Sequence, residues 1–135
     1  MAIHSVEKTV AADPAAVWKL LATFGDIHWI PAATEVRTEG EGVGMTRHIN
    51  GAVIERLLAI DEPARTMTYA IEQGNPLPVS RYESTAVVRG GDGASEATVT
   101  WTVDYDPTGP DEAARGGIDA IYGVMAGWLQ DAATA

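Results

Sequence analysis

A chain of 135 residues with a formal net charge of −10 is expected to form one domain over residues 1–135, and the charge argues against nucleic acid or an anionic membrane surface as a partner. It has no cysteine, which excludes disulfides, a thiol nucleophile and thiolate metal ligands. It also has no apolar run typical of a signal peptide or a membrane span, so we expect a cytoplasmic protein without membrane insertion.

The first quarter of the chain is predicted to hold one strand and two short helices. Residues 3–10 alternate weakly between polar and apolar, as in a strand. Asp13 followed by Pro14 is a helix-start pattern, and the buried side of this helix is made by Val17, Trp18, Leu20 and Leu21. Residues 23–30 are a second short helical or irregular segment, closed by Trp29-Ile30-Pro31.

Six further strands are predicted after this segment, because alternating stretches are separated by turn residues. Their ranges are 34–39, 44–50, 53–61, 66–73, 79–90 and 95–106. Neighbouring side chains on a strand face opposite ways, so the last three strands present one set to the interior. That set is Met67, Tyr69, Ile71, Tyr82, Ser84, Ala86, Val88, Trp101, Val103 and Tyr105. Such a wall suits a small, mostly apolar ligand.

A long helix is predicted at residues 110–132, because Pro110, Asp111 and Glu112 suit a first helical turn. Its apolar stripe is Ile118, Ile121, Tyr122, Met125, Trp128 and Leu129. The other face carries Gly116, Ala120, Gly123 and Gly127. This face is either a solvent-facing stripe or a close-packing groove for a second helix, so a monomer or a weak homodimer is expected.

The order of these elements predicts an α+β fold. A seven-stranded curved antiparallel sheet would surround the long C-terminal helix, with two short helices after the first strand.

The register of one hairpin decides whether the interior also holds charge. Arg47 is predicted to point inward, whereas the parity of residues 53–58 is ambiguous. A two-residue Asn50-Gly51 turn would set Arg47 opposite Ile54, and a three-residue loop over 50–52 would set it opposite Glu55. Two-residue turns are commoner for Asn-Gly, but we favour the three-residue loop because it pairs a charge that would otherwise be isolated.

The polar interior residues have two interpretations each. Arg47 and Glu55 either orient a substrate, with Glu55 as general base, or form a structural ion pair. The tyrosine hydroxyls either polarise a carbonyl or bond to backbone and water; these residues are Tyr69, Tyr82 and Tyr105. No metal site and no cofactor are predicted, since the histidines lie on different elements without metal-ligand spacing.

Several short segments along the chain form a known pattern. They are Val17-Trp18, Trp29-Ile30-Pro31, Gly-Val-Gly-Met-Thr-Arg at 42–47, Glu55-Arg56-Leu57, Tyr69, Leu-Pro-Val-Ser-Arg-Tyr at 77–82, Thr100-Trp101 and a terminal helix with Tyr122. In this pattern the chain resembles the helix-grip, START-like (SRPBCC) superfamily of the birch-pollen allergen and bacterial polyketide cyclase/dehydrase-like proteins. The resemblance implies the helix-grip fold. Members bind hormones or lipids, or cyclise polyketides, so function is not fixed by it.

The plant abscisic-acid receptors are similar at two strands, Glu-Arg-Leu and Tyr-x-Ser, which implies that Glu55 and Tyr82 face a cavity. The receptors' gate loop is reduced here to Asn50-Gly51-Ala52, and their latch reads Leu77-Pro78-Val79. Their hormone-anchoring lysine has no counterpart in residues 25–33. Hormone reception therefore does not carry over, and Arg47 is the candidate anchor for an anionic group.

We therefore expect a protein that binds a small apolar ligand (a lipid, polyketide or aromatic compound) in a hydrophobic cavity between the sheet and the C-terminal helix. The alternative is a cofactor-independent polyketide cyclase/aromatase or dehydratase with Glu55, Arg47 and Tyr82 as catalytic candidates. A third is a partner-binding module that uses the glycine face. The predicted ligand-binding residues are Trp29, Arg47, Glu55, Leu57, Tyr69, Ile71, Tyr82, Ser84, Trp101, Val103, Ile121 and Met125.

Overall fold

The structure is a computed structural model that describes residues 2–135, and it contains a seven-stranded sheet and two helices. In chain order the elements are β1 (Ala2–Val10), α1 (Pro14–Ala22), β2 (Val36–Glu39), β3 (Thr46–Ile49), β4 (Val53–Asp61), β5 (Thr66–Gln73), β6 (Val79–Arg89), β7 (Ala97–Pro107) and α2 (Asp111–Ala133). Neither helix is long and apolar enough to cross a membrane.

The sheet is antiparallel throughout, in the order β1-β7-β6-β5-β4-β3-β2. The helix α2 packs against β1 and β7, so it lies along one face of the sheet. The predicted inward sets of β5, β6 and β7 are buried, apart from Ile71, which is half-buried. The predicted α+β helix-grip architecture is thus confirmed.

The predicted second short helix is wrong, because residues 23–33 form a series of turns. Three backbone bonds each span only three residues: Asp26 N to Thr23 O, Ile30 N to Ile27 O and Ala33 N to Ile30 O. The Asp26 side chain accepts a hydrogen bond from the His28 backbone N–H at 3.2 Å, which competes with a helical bond. Gly25 and Pro31 further disfavour a continuous helix, although Phe24, Ile27 and Trp29 still turn into the core.

The starts of both helices agree with the predicted patterns. Asp13 Oδ1 accepts a hydrogen bond from the Ala15 backbone N–H at 3.3 Å, so Asp13 caps α1. Asp111 and Glu112 lie in the first turn of α2, after Pro110. The buried residues of α2 are Ala114, Ile118, Tyr122, Ala126 and Leu129.

The glycine face of α2 is mostly open in the chain. Gly116, Ala120 and Gly127 are exposed, and a Cβ added at Gly116 or Gly127 would have no heavy atom within 4 Å. Gly117 differs, because an added Cβ would lie 2.4 Å from Leu77 Cδ2 in the loop between β5 and β6. Gly117 therefore allows that loop to approach the helix.

We expect opposite behaviour from two neighbouring glycine-to-alanine variants in α2. Gly116→Ala should raise the free energy of unfolding by roughly 0.5–1 kcal/mol, because alanine favours a helix and meets nothing at this site. Gly117→Ala should gain less or become destabilising, because its methyl group must displace Leu77. Urea unfolding of both variants measures the difference, and equal gains would contradict the close contact.

Candidate ligand-binding site

The β3–β4 hairpin places one buried ion pair in the interior. Its loop has three residues, Asn50 to Ala52, and Arg47 lies directly opposite Glu55, as predicted. Asn50 and Gly51 have φ values of 54° and 66°, a conformation that asparagine and glycine tolerate. The longer loop is thus compatible with the Asn-Gly sequence, and it keeps both charges on the same face.

Arg47 is held by an acid, a carbonyl group and two aromatic rings. Its Nε donates a hydrogen bond to Glu55 Oε1 at 2.6 Å, and its Nη1 donates to the Phe24 carbonyl at 3.0 Å. The guanidinium carbon lies 3.9 Å from the ring centroid of Phe24 and 5.6 Å from that of Tyr69. Only 4% of Arg47 and 7% of Glu55 is exposed, so the charges are compensated by each other and by fixed partners.

Next to this pair, four hydroxyl groups meet around Tyr122 of α2. Tyr69 and Tyr82 hydroxyls lie 2.9 and 2.5 Å from the Tyr122 hydroxyl, which donates to Ser84 Oγ at 2.8 Å. We call Tyr69, Tyr82, Ser84 and Tyr122 the hydroxyl cluster. The Tyr122 ring also stacks on Trp101, with centroids 4.7 Å apart. The cluster therefore joins α2 to three strands through both hydrogen bonds and ring packing.

Burial keeps the hydroxyl cluster protonated. It raises the pKa of Tyr69 to about 12, and the Glu55 carboxylate acts in the same direction. Burial also raises the pKa of Tyr82 and of Tyr122 well above the ordinary value. At neutral pH these phenols are hydrogen-bond donors rather than bases, and they can stabilise a developing negative charge.

We expect the tyrosines of the hydroxyl cluster to lose their protons only when the protein unfolds. The unfolded chain loses phenol protons near pH 10, whereas the native state retains them, so stability falls as the pH rises from about 10 towards 12. Tyrosinate absorbance and far-ultraviolet circular dichroism, followed over this range, should change in one step. Gradual ionisation of all tyrosines near pH 10 in a folded protein would contradict the buried cluster.

The structure places the predicted site residues in the interior, but the hydroxyl of one predicted tyrosine lies away from the cluster. Trp29, Leu57 and Val103 are buried, and Ile71, Ile121 and Met125 are half-buried against the core. Tyr105 is buried too, but its hydroxyl donates to Asp111 Oδ1 at 2.5 Å, so it does not join the cluster. The inward direction of the Tyr105 side chain was predicted correctly. Alternation does not predict which group its hydroxyl contacts.

Two residues of the site were not among the predicted ligand-binding residues. Tyr122 was predicted as part of the apolar stripe and of the family pattern but not as a ligand-binding residue, although a tyrosine within such a stripe is a signal for a buried hydroxyl. Phe24 was not singled out, and it is the chain's only phenylalanine. Its contact with Arg47 depends on the turns of residues 23–33, which local sequence patterns do not specify.

Two cavities lie at the edges of the interior. One of about 260 Å³ opens between β5 and β6, beside Ile71 and Tyr82. Another of about 360 Å³ lies between α1 and the end of α2, beside Leu20 and Ala132. The stacked Trp101 and Tyr122 rings occupy the space between the sheet and the helix. A ligand there would have to separate side chains that now pack together.

The comparisons with known proteins agree with this architecture. The sequence model of the family described as "Polyketide cyclase / dehydrase and lipid transport" matches residues 1–134. No curated protein matches the chain.

Solved structures show the same fold along nearly the whole chain. The protein XoxI from Bacillus cereus is 27% identical, with a TM-score of 0.82 over 99% of this chain and 96% of its own. Ara h 8.0201 is 21% identical, with a TM-score of 0.74 over 99% of this chain and 100% of its own. Norcoclaurine synthase from Thalictrum flavum is 17% identical, with a TM-score of 0.68 over 96% of this chain and 84% of its own. The helix-grip resemblance is thereby confirmed, and the chain belongs to the polyketide cyclase/dehydrase and lipid-transport family.

Proposed function

We propose that the protein binds a small, largely apolar molecule between the sheet and α2. The observation that carries the proposal is the chemistry of that face, where aromatic side chains surround a buried, protonated hydroxyl cluster. A wall of this composition packs against the apolar part of a ligand, and its few polar groups orient the ligand by hydrogen bonds. Membership of a family described by lipid transport supports the same proposal.

The interior also holds a hydrogen-bond donor without an acceptor. Trp29 is 4% exposed, and its indole Nε1 has no hydrogen-bond partner within residues 2–135. A buried donor without an acceptor is costly, and native proteins rarely leave one unexplained. A ligand oxygen in the interior would supply the missing acceptor, so we expect the ligand to be apolar but not purely hydrocarbon.

Native mass spectrometry of the purified protein, compared with the same sample denatured, tests this proposal. The expected result is an additional mass of a small molecule in the native spectrum. Identical native and denatured masses, together with no binding of added lipids or aromatic compounds, would contradict it.

A matched pair of variants tests whether the bound small molecule lies on the inner face of the sheet. Ala86→Leu enlarges a buried side chain on the inner face of β6, whereas Ala70→Leu makes the same change on β5 at a residue of opposite parity to the inward-facing Tyr69. We expect Ala86→Leu to lose the additional mass and Ala70→Leu to retain it. Near-ultraviolet circular dichroism confirms that both variants are folded.

A second candidate is a cofactor-independent cyclase or dehydratase. The observation that favours it is the common environment of an acid and neutral donors: burial raises the pKa of both Tyr69 and Tyr82, and the nearby Glu55 carboxylate acts in the same direction. Glu55 would then remove a proton while a tyrosine hydroxyl stabilises the developing enolate. Glu55→Gln should abolish turnover of such a substrate but retain its binding, because glutamine keeps an oxygen acceptor for Arg47. A variant with unchanged turnover would exclude Glu55 as the base.

A further inference from the structure

The buried pair of Arg47 and Glu55 uses only part of its hydrogen-bonding capacity. Arg47 Nε donates to Glu55 Oε1 at 2.6 Å, and Arg47 Nη1 donates to the Phe24 carbonyl at 3.0 Å. Arg47 Nη2 and Glu55 Oε2 make no hydrogen bond within residues 2–135. The two side chains are thus joined by one hydrogen bond, whereas an arginine and a carboxylate frequently form two parallel ones.

The two unused atoms are accessible although their residues are buried. The side chains of Arg47 and Glu55 are 5% and 10% exposed. In the described part of the chain, the polar side-chain atoms that are fully shielded and also lack a partner belong to Trp29 and Asn75. Arg47 Nη2 and Glu55 Oε2 lack a partner too, so the small exposed area of the pair includes both atoms. A ligand at this end of the interior can therefore contact them without first breaking the ion pair.

The chemistry of the unused atoms defines the group that fits between them. Nη2 belongs to the same guanidinium group as Nε, and Oε2 to the same carboxylate as Oε1, so the short Nε–Oε1 bond keeps the two unused atoms close together. Nη2 is only a donor and Oε2 is only an acceptor. One oxygen atom that accepts from Nη2 and donates to Oε2 would join them, as bridging water does between protein groups. A hydroxyl group offers both roles at a single small atom.

The opposite charges of the pair disfavour other polar groups at this position. The guanidinium and the carboxylate balance each other, so a charged ligand group gains no net attraction. A ligand carboxylate would lie against Glu55, and a ligand ammonium group would lie against Arg47. A ketone or ether oxygen would accept from Arg47 Nη2 but leave Glu55 Oε2 without a donor, which is costly in a buried site. The pair is therefore a poor anchor for an anion and a good one for an uncharged hydroxyl group.

We propose that the ligand bound between the sheet and α2 is an uncharged hydroxyl compound, whose hydroxyl group accepts a hydrogen bond from Arg47 Nη2 and donates one to Glu55 Oε2. This inference rests on the proposed function, because it names the polar group of the molecule bound there. The rings of Phe24 and Tyr69 lie beside the guanidinium group, at 3.9 and 5.6 Å from its carbon, and provide aromatic surface for the apolar part of the ligand.

Four compounds of similar shape test the hydroxyl group: 2-naphthol, naphthalene, 2-methoxynaphthalene and 2-naphthoate. Each is titrated into ¹⁵N-labelled protein at neutral pH, while the Arg47 Nε–H resonance and the four tryptophan indole resonances are followed. We expect 2-naphthol to shift the Arg47 resonance and to bind about tenfold to a hundredfold more tightly than naphthalene, the factor of one hydrogen bond to a charged group. The ether and the carboxylate should bind more weakly than 2-naphthol, because the first cannot donate and the second brings a like charge to Glu55.

A matched pair of variants isolates the acceptor on Glu55. In Glu55→Gln only the amide oxygen can accept from Arg47 Nε, so the NH₂ group takes the place of Oε2 and the position is then flanked by two donors. An ether oxygen fits there as well as a hydroxyl group, and the preference for 2-naphthol over 2-methoxynaphthalene should disappear. Glu72→Gln makes the same change in the exposed pair with Arg56 and should leave the preference unchanged. Each variant has the same change in net charge.

The outcomes distinguish this inference from the proposed function. Equal affinities of 2-naphthol and naphthalene, with shifts of the Trp29 and Trp101 indoles, would overturn the role of the hydroxyl group and still support binding between the sheet and α2. No binding of any of the four compounds would overturn both. Tighter binding of 2-naphthoate, or a preference for 2-naphthol that survives in Glu55→Gln, would overturn the hydroxyl group alone. If circular dichroism shows that Glu55→Gln is unfolded, the affinities of the unaltered protein decide.

Discussion

Glu55→Leu is expected to lower the free energy of unfolding by about 3–5 kcal/mol, because it leaves the Arg47 cation buried without its counter-charge. The Phe24 carbonyl and the two nearby rings remain, but they compensate only part of the charge. Urea unfolding monitored by circular dichroism measures the loss. A decrease below about 1 kcal/mol, as is usual for exposed pairs, would contradict a dry and tightly coupled pair.

Two control variants distinguish the loss of the Arg47–Glu55 charge pair from the loss of side-chain packing at Glu55. Arg47→Met combined with Glu55→Leu removes both charges and should recover much of the lost stability, since apolar replacements of buried pairs are often tolerated. Glu72→Leu breaks the ion pair between Glu72 and Arg56, in which each side chain is 40% exposed. It should lower the free energy of unfolding by no more than about 1 kcal/mol. If the double variant is as unstable as Glu55→Leu, the isolated charge is not the cause.

Tyr122→Phe should lower the free energy of unfolding by on the order of 3 kcal/mol. It removes one oxygen atom but leaves the hydroxyls of Tyr69, Tyr82 and Ser84 without their common partner, at roughly 1–3 kcal/mol for each buried group left unsatisfied. The ring, and with it the stacking on Trp101, is retained. Thermal and urea unfolding measure the change.

Tyr105→Phe is the matched control for this substitution. It removes a hydroxyl that donates a hydrogen bond to Asp111 at the start of α2, outside the hydroxyl cluster, and should cost about 0.5–1.5 kcal/mol. Equal losses in the two variants would indicate that Tyr122 is not the centre of the hydrogen-bond network.

The hairpin and the sheet interior were predictable because each depends on a rule with few alternatives. Alternation fixes which side of a strand is buried, so Ser84 and Trp101 could be placed inward without a structure. The pairing of Arg47 with Glu55 followed from the cost of an isolated buried charge. That cost correctly outweighed the general preference of Asn-Gly for a two-residue turn.

The remaining features depend on tertiary contacts that local patterns do not encode. The turns around Phe24 and Trp29 have no regular periodicity, so their contact with Arg47 could not be read from the sequence. The partner of each tyrosine hydroxyl is set by the distance between the sheet and α2. The same distance lets Trp101 and Tyr122 stack on each other between the sheet and the helix.

The four tryptophan indoles offer the most direct measurement of binding between the sheet and α2. We would titrate ¹⁵N-labelled protein with 8-anilinonaphthalene-1-sulfonate, an aromatic probe of apolar sites, and record the indole resonances. Trp29 and Trp101 are predicted to shift and saturate together, whereas Trp18, whose Nε1 is held by Glu62 at 2.7 Å, should remain unchanged. If the probe binds while the Trp29 and Trp101 indole resonances do not shift, the ligand does not enter the space between the sheet and the helix.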